Sequence, residues 1–337
     1  MKRAFALTLL IIAFLTCSGV YSAAQAAPFY QQRSGDGAFD YGIGYLNGNT
    51  LYHISSYDTA GNGVESELEF PLDMFMFNLG GGYIGRNEKG QDAFTIGVLW
   101  SMNLGRGSGQ LKDSDWLTDP LDISLAGAAH PGLDIYSTSD VTAKATIVDI
   151  RASYNFWPSN RLAVGPLGGF LFQNFQFDAS NVKQVGYGPY AADFTGSVSG
   201  RVLTYEATYL VPYAGLHSEM LLGKSFQLAV DLGYSPWAAA RDNDDHVLRG
   251  KLSKSRASGW AYLAALTAQW DMEDDDFFTI RGQYLKIHTT GTQTQTWYRD
   301  EIVSPTETVP AGTTITGIDD WIASQQLSAT LLFSHRF

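Results

Sequence analysis

Two short acidic segments of the sequence carry the side-chain types that activate water for hydrolysis. Asp113 and Asp115 stand two positions apart, and so do Asp244 and His246. In an extended backbone, residues i and i+2 point to the same face, so each segment presents one pair. Two carboxylates held close together cannot both ionise easily, and an imidazole beside a carboxylate is oriented by it. If the two pairs face one another across a narrow cleft, they can hold a water, accept its proton and direct it at a carbonyl.

Two simpler interpretations of these segments stay open. Asp113 and Asp115 by themselves would fit a solvated loop, and only the second segment favours chemistry. A calcium site is also conceivable, because oxygen-rich loops bind this ion. His246 is a poor calcium ligand, so we expect no metal at the site.

The first residues of the chain have the pattern of a secretory signal. Lys2 and Arg3 precede an apolar run, and the small-residue pattern "AQA" (24–26) provides a cleavage site, so we predict a signal peptide over residues 1–26. Cys17 is the only cysteine and lies within this segment. The mature chain is therefore expected to have neither a disulfide nor a thiolate metal site.

The charge balance limits the partners of the mature chain. Loss of Lys2 and Arg3 would leave 20 of the 22 basic residues against 34 acidic ones, a net charge of −14. Such a surface repels nucleic acid and attracts a cationic peptide or protein.

The pattern that recurs along the chain is an alternation of apolar and polar residues. In the segment 226–235, the even positions are Phe, Leu, Val, Leu and Tyr, and the odd positions are polar or small. The same period of two recurs at 94–102 and 278–284, and the chain ends on an aromatic residue, Phe337. This period predicts strands whose two faces meet different media. Long strands with aromatic ends and charges on the polar face favour a membrane barrel over a soluble β-sandwich.

We predict ten strands, an even number that suits a closed antiparallel transmembrane β-barrel. The predicted strands cover residues 38–56, 64–86, 91–103, 140–156, 161–178, 204–221, 226–241, 256–271, 277–293 and 322–337. Short connections alternate with long ones, at 104–139, 179–203, 242–255 and 294–321. Long loops belong on the extracellular side, so both acidic segments should emerge at one rim of the barrel. Residues 27–337 are predicted to form this single domain.

The two acidic segments in these positions resemble the omptin family of outer-membrane endoproteases. "DSDW" (113–116) and "DNDDH" (242–246) follow the third and seventh predicted strands, and "YEATYLVPYAGL" (205–216) is similar to the family's sixth strand. The resemblance covers essentially the whole mature chain. It implies an enzyme of the outer membrane, with its site facing outward, that cleaves peptides near basic residues.

The resemblance also implies a role for each site residue. Asp113 and Asp115 match the family's catalytic aspartate pair, while Asp244 and His246 match its catalytic Asp–His dyad. His246 would act as general base toward a water oriented by the aspartate pair, without a covalent intermediate or a metal. For substrate binding, Asp242 matches an aspartate of the pocket for a basic side chain.

Several positions depart from the family pattern or remain less specific. His130 matches a histidine beside the cleft and is a candidate substrate-binding residue. Tyr52 stands where the family has a glutamate that cooperates with Asp242. The positions that bind lipopolysaccharide in the family, which needs this lipid for activity, are Asn174, Thr208 and Arg256 here, and only the last is charged. Lipopolysaccharide is thus a possible cofactor with a poorly matched site.

Strict alternation raises a geometric problem for the dyad. Counted from Tyr234, Asp244 and His246 fall on the outward face of their strand. A bulge or bend near Pro236 must re-aim them, as bulges at barrel rims do.

Two other functions fit a barrel of this kind. A non-proteolytic barrel could bind surface partners through its long loops, as an adhesin does. A lipid A-modifying hydrolase would need a serine or histidine group near the lipid, and none stands out. Since a closed barrel needs no partner, we expect a monomer surrounded by outer-membrane lipid.

Overall fold

The computed structural model describes residues 35–57, 63–118, 132–223, 225–272, 275–304 and 307–337. The predicted signal peptide and His130 lie outside these ranges, so both stay predictions. Among the residues described, none of the helices has the length and apolar character that crossing a membrane would need.

The chain folds into a closed antiparallel barrel with ten strand positions. Its strands are β1 (Gly35–Tyr57), β2 (Gly63–Arg86), β3 (Asp92–Asn103), β4 (Gly107–Thr118), β5 (Ile135–Tyr154), β6 (Leu162–Gly186), β7 (Gly196–Leu221), β8 (Phe226–His246), β9 (Lys251–Asp271), β10 (Asp276–Trp297), β11 (Glu301–Ser304), β12 (Glu307–Val309) and β13 (Thr314–Arg336). The ring closes because β1 pairs with both β2 and β13. Closure pairs the backbone groups of every barrel strand, which a lipid environment requires.

The third position of the ring is shared by two strands. β3 and β4 are separated at residues 104–106, where Gly105 has a φ of +72°. Both strands pair with β2 on one side and β5 on the other. The prediction of a loop over 104–139 is therefore wrong at its start, because "DSDW" lies within β4.

The other long loops are also shorter than predicted. β8 extends to His246, so "DNDDH" is the end of a strand, and β9 begins only five residues later, at Lys251. β6 and β7 extend into the predicted loop 179–203, leaving a short helix, α1 (Ala191–Phe194), between them. The loop 294–321 contains the small hairpin β11–β12 and the start of β13. Outside lipid both faces of a strand turn polar, so alternation disappears while backbone pairing continues.

An apolar band surrounds the inner half of the barrel exterior. Its exposed side chains include Tyr41, Ile43, Ile96, Val98, Leu216, Leu232, Ile280, Leu327 and Leu331. Phe226, Trp270 and Phe337 mark its inner edge. At its outer edge Trp237 is exposed, and Trp260 and Trp321 each pack against His288. Aromatic girdles of this kind mark the two membrane interfaces, so β8 beyond Trp237 and β13 before Trp321 lie outside the hydrocarbon region.

The hydrophobic core fills the middle of the barrel interior. Its largest fully buried side chains are Tyr52, Phe70, Leu72, Leu171, Phe175, Tyr205, Tyr209, Leu285, Ile287 and Ile322. On the periplasmic side of this core lies a cavity of about 250 Å³, whose lining includes both apolar and charged side chains. Here Arg281 Nη1 lies 2.8 Å from Asp231 Oδ2 and forms an interior ion pair. The core therefore separates the inner part of the lumen from its extracellular mouth.

Candidate active site

A bulge in β8 aims the second acidic segment into the barrel. The pairing of β8 with β9 shifts between Ser235 and Ala238, where β8 contains one more residue than its partner. Before the bulge the even positions face outward, and Tyr234 is 53% exposed. After it the even positions face inward, and Asp244 is 0% exposed. The predicted re-aiming near Pro236 is confirmed, since one extra residue exchanges the two faces of a strand.

The dyad residues contact each other directly. His246 Nε2 lies 2.7 Å from Asp244 Oδ2, and the imidazole remains 20% exposed at the cleft surface. Beyond this contact, neither oxygen of Asp244 has a hydrogen-bond partner within the described ranges. A buried carboxylate in this state needs hydrogen-bond donors or positive charge close by. The carboxylate thus fixes the ring while the ring reaches solvent.

The first acidic segment also faces the lumen. On β4, Asp113 lies opposite Leu68 of β2 and Ser137 of β5, and Asp115 lies opposite Ser66. The hydroxyls of Ser66 and Ser137 each lie 3.4 Å from a different oxygen of Asp113. Both strands flanking β4 therefore hold the Asp113 carboxylate in place through a serine.

Electrostatics link the two segments across the lumen. Burial holds the pKa of Asp113 well above its usual range, and the charges of Asp115 and Asp244 raise it further. Burial also raises the pKa of Asp115, while the Ser66 hydroxyl and the charge of His246 lower it. Interactions between charges weaken with distance, so these side chains share one cleft. The structure thus brings together the four residues predicted to be catalytic, while their catalytic roles stay a prediction.

Lys251 belongs to the same cleft and was not identified from the sequence. It lies directly opposite His246 in the β8–β9 pairing and is only 5% exposed. Its ammonium lies 6.0 Å from the centre of the Trp297 ring, within reach of a cation–π interaction. Burial lowers its pKa to about 8, and the charge of Arg249 lowers it too, whereas Asp244 and other carboxylates raise it. Only the register of β9 against β8 reveals that this lysine enters an acidic cleft.

A second acidic group lies deeper in the cleft. Asp242 is 3% exposed, accepts a hydrogen bond from the Tyr205 hydroxyl at 3.2 Å and another from the Ser255 backbone N–H at 2.9 Å. Burial raises its pKa to about 8, and the charge of Asp320 raises it further. Asp320, on β13, was not identified from the sequence. Asp320 lies at the end of the predicted loop 294–321, next to Asp319, and nothing in the sequence separated these two aspartates from other acidic residues of loops.

Tyr52 forms one wall of this deeper group. Its ring stacks on Tyr205 with centroids 5.7 Å apart, and its hydroxyl accepts a hydrogen bond from Gln293 Nε2 at 3.1 Å. The position predicted to have lost a carboxylate thus carries a buried aromatic side chain that is 1% exposed.

The remaining predicted binding positions lie on the outer wall. Asn174 Nδ2 donates to Glu206 Oε1 at 2.8 Å and to Thr208 Oγ1 at 3.0 Å, and Arg256 is exposed on β9. None of this tests whether lipopolysaccharide binds, which stays a prediction. Over the ranges that the structure describes, no group of three or more His, Cys, Asp or Glu side chains is arranged to hold a metal ion.

Comparison with known proteins gives one family and two informative relatives. Residues 38–314 match the profile of the family described as "Omptin family". The plasminogen activator of Yersinia pestis is 24% identical over 173 residues, 51% of this chain and 52% of that protein, so the match spans about half the length of this relative. The outer membrane protease OmpT of Escherichia coli superposes with a TM-score of 0.69 at 16% identity, over 91% of this chain and 99% of that one. At this identity the structural likeness shows the fold.

Proposed function

Because the chain belongs to the omptin family of outer-membrane proteases, we propose that it is an endopeptidase that cleaves cationic peptides and proteins at the extracellular mouth of the barrel. The nucleophile would be a water activated by the Asp244–His246 dyad and the Asp113–Asp115 pair. The observation that supports this most is the 2.7 Å contact of the dyad in a cleft shared with a second carboxylate pair.

Each residue of the cleft has a role in this mechanism. His246 uses Nε2 for Asp244, which leaves Nδ1 to accept the proton of the attacking water. The water oxygen adds to the peptide carbonyl, and the same proton then passes to the leaving amine. Asp113 and Asp115 cannot both ionise easily, so the pair retains a proton with which to hold the water and assist transfer.

The charges of the molecule support a cationic substrate. The chain carries 34 acidic against 22 basic residues, which draws positively charged peptides toward its surface. The buried carboxylate of Asp242, two residues before Asp244 on the same face of β8, lies beside the proposed reaction centre.

The test is hydrolysis of an arginine-containing fluorogenic peptide by the refolded protein. We expect kcat of the Asp244→Asn, His246→Ala double variant to be about 10²- to 10⁴-fold lower than that of the wild type, since a positioned base accelerates a reaction by about this factor. The matched control is Asp276→Asn, His335→Ala, because His335 Nδ1 lies 2.8 Å from Asp276 Oδ1 in an exposed pair at the opposite end of the barrel.

The control should hydrolyse the peptide at the wild-type rate. Full activity in the Asp244/His246 variant would refute the assigned dyad. A folded wild-type protein that binds surface partners but cleaves no peptide would favour the adhesin alternative.

A further inference from the structure

We propose that Lys251 is a further catalytic residue, whose ammonium binds the oxyanion that forms when water adds to the peptide carbonyl. This inference rests on the proposed function and adds the group that stabilises the developing negative charge. The residues assigned so far activate the water and move its proton, and none of them binds the carbonyl oxygen.

The register of β9 places Lys251 beside the dyad. Across the β8–β9 pairing, Lys251 lies opposite His246 and Ser253 lies opposite Asp244. Directly paired residues of antiparallel strands point to the same face, with Cβ atoms about 5 Å apart. Asp244 faces the lumen, so Lys251, which is 5% exposed, faces it too. The ammonium and the imidazole therefore enter the cleft from neighbouring strands.

Lys251 is a buried cation that no carboxylate neutralises directly. The ion pairs of the described ranges include Arg249 with Glu301, but none of them includes Lys251. Its ammonium lies over the Trp297 ring, 6.0 Å from the ring centre. Trp297 is itself held, because its Nε1 donates to Glu301 Oε2. The positive charge therefore has a fixed position and remains available to an anion.

The carboxylates of the cleft cannot stabilise an oxyanion themselves. Asp113, Asp115 and Asp244 repel a negative charge on the carbonyl oxygen whenever they are ionised. Burial lowers the pKa of Lys251 to about 8, and the charges of nearby carboxylates act in the opposite direction, so the ammonium is the main form at pH 7. A buried cation is poorly hydrated, which strengthens its interaction with an anion that arrives in the cleft.

The ammonium acts on the carbonyl oxygen while the dyad moves the proton. The water oxygen forms a bond to the carbonyl carbon as the carbonyl π bond breaks and its electron pair moves to the oxygen. The water proton passes to Nδ1 of His246, and the oxyanion accepts a hydrogen bond from Lys251. When the carbonyl re-forms, the C–N bond breaks and the amine leaves with the proton of His246. Lys251 keeps its protons throughout, and because its hydrogen bond is stronger to the oxyanion than to the neutral carbonyl, it acts on kcat.

The first experiment is hydrolysis of the arginine-containing fluorogenic peptide by the refolded wild type and by Lys251→Met. We expect kcat of the variant to be about 10²- to 10³-fold lower, with KM nearly unchanged, because one donor to an oxyanion contributes about this factor. The matched control is Lys254→Met, which removes an exposed lysine of the same strand and should leave kcat unchanged. A wild-type kcat in Lys251→Met would overturn the inference while the proposed function stands.

The pH profile separates the charge of Lys251 from a merely structural role of its side chain. We expect kcat/KM of the wild type to fall above about pH 8, where the lysine of the folded protein loses its proton. Lys251→Arg should recover part of the activity lost in Lys251→Met and show no such fall up to about pH 10, since arginine stays charged. The other groups whose charges act on the site are unchanged in this variant, and they are Asp113 and Asp115 of β4, Asp244 and His246 of β8, Arg249 of the following turn and Glu301 of β11. The same fall in Lys251→Arg as in the wild type would contradict the role of Lys251.

Binding of two substrate analogues, measured by calorimetry, gives a result that does not depend on turnover. One peptide carries an anionic phosphinate in place of the scissile amide, and the other carries a neutral hydroxyethylene group of similar shape. We expect Lys251→Met to bind the phosphinate peptide about 10- to 100-fold more weakly than the wild type, because one charge-assisted hydrogen bond is lost, and to bind the neutral peptide as the wild type does.

This binding measurement decides the inference even if the wild-type protein cleaves no peptide and the proposed function fails. Equal binding of the phosphinate by the two proteins refutes the oxyanion site. An equal loss of affinity for both analogues also refutes it, since the lysine would then only maintain the shape of the cleft.

Discussion

The buried ammonium of Lys251 should lower the stability of the folded protein by an amount that follows from its shifted pKa. The lysine is 5% exposed on β9, and its pKa is lowered from 10.5 to about 8. Each pKa unit corresponds to about 1.4 kcal/mol, so the charged form is disfavoured in the folded protein by about 3 kcal/mol. We expect Lys251→Met to raise the free energy of unfolding by up to about this amount at pH 7. Methionine also keeps the apolar contact with Trp297.

The pH dependence follows from the direction of the shift. Below about pH 8 the lysine is charged in both folded and unfolded chains, so the full penalty is present. Between about 8 and 10.5 the unfolded chain binds more protons, and the stability of the wild-type protein rises with pH. Above 10.5 the amine is neutral in both states, and this difference between wild type and Lys251→Met should disappear.

The assay is equilibrium unfolding by denaturant in detergent micelles at pH 6.5, 9 and 11. The control is Lys254→Met, which changes the exposed lysine three positions further along the same strand. Its unfolding midpoint should follow that of wild type at every pH. A Lys251→Met protein that is less stable than wild type at pH 6.5, or equally stable at all three pH values, would refute this account of the buried charge.

Two further changes test the cleft. Asp113→Asn should lower kcat by about 10² while raising stability at pH 7, because a raised folded-state pKa costs stability increasingly as pH rises above the unfolded-chain pKa of 3.8 and costs none in acid. Peptide hydrolysis and denaturant midpoints at pH 4 and 7 measure both effects, and a loss of stability at pH 7 would contradict the assignment. Inserting one alanine after Ala239 should turn Asp244 and His246 to the outer face and abolish hydrolysis, since a shift of one residue exchanges the faces of a strand. Hydrolysis at the wild-type rate by the folded insertion variant would show that the register of β8 does not place the dyad.

The parts of the fold that the sequence predicts are those in contact with lipid. Alternation at 226–235 and similar segments exists because one face meets acyl chains and the other meets the lumen, and it correctly predicts ten strand positions. For the same reason, the sequence does not predict β4 or the last residues of β8 as strands. Above the membrane both faces of a strand are polar, so the sequence of a paired strand resembles that of a loop.

The site divides in the same way. The pairs Asp113/Asp115 and Asp244/His246 are local, and a spacing of two residues is enough to suggest them. Lys251 and Asp320 enter the cleft through the pairing of β9 with β8 and of β13 with β10. Such cross-strand register leaves no trace in the spacing of residues along the chain, so neither could be predicted.

The apolar filling of the middle lumen has a consequence for the cell that carries this barrel. Tyr52, Phe70, Tyr209 and Ile322 occupy the space through which a porin would pass solutes. Insertion of many copies should therefore leave the permeability barrier intact. Under the proposed function, peptide fragments formed at the mouth would leave only to the extracellular side, because the filled lumen gives them no path through the barrel to the periplasm.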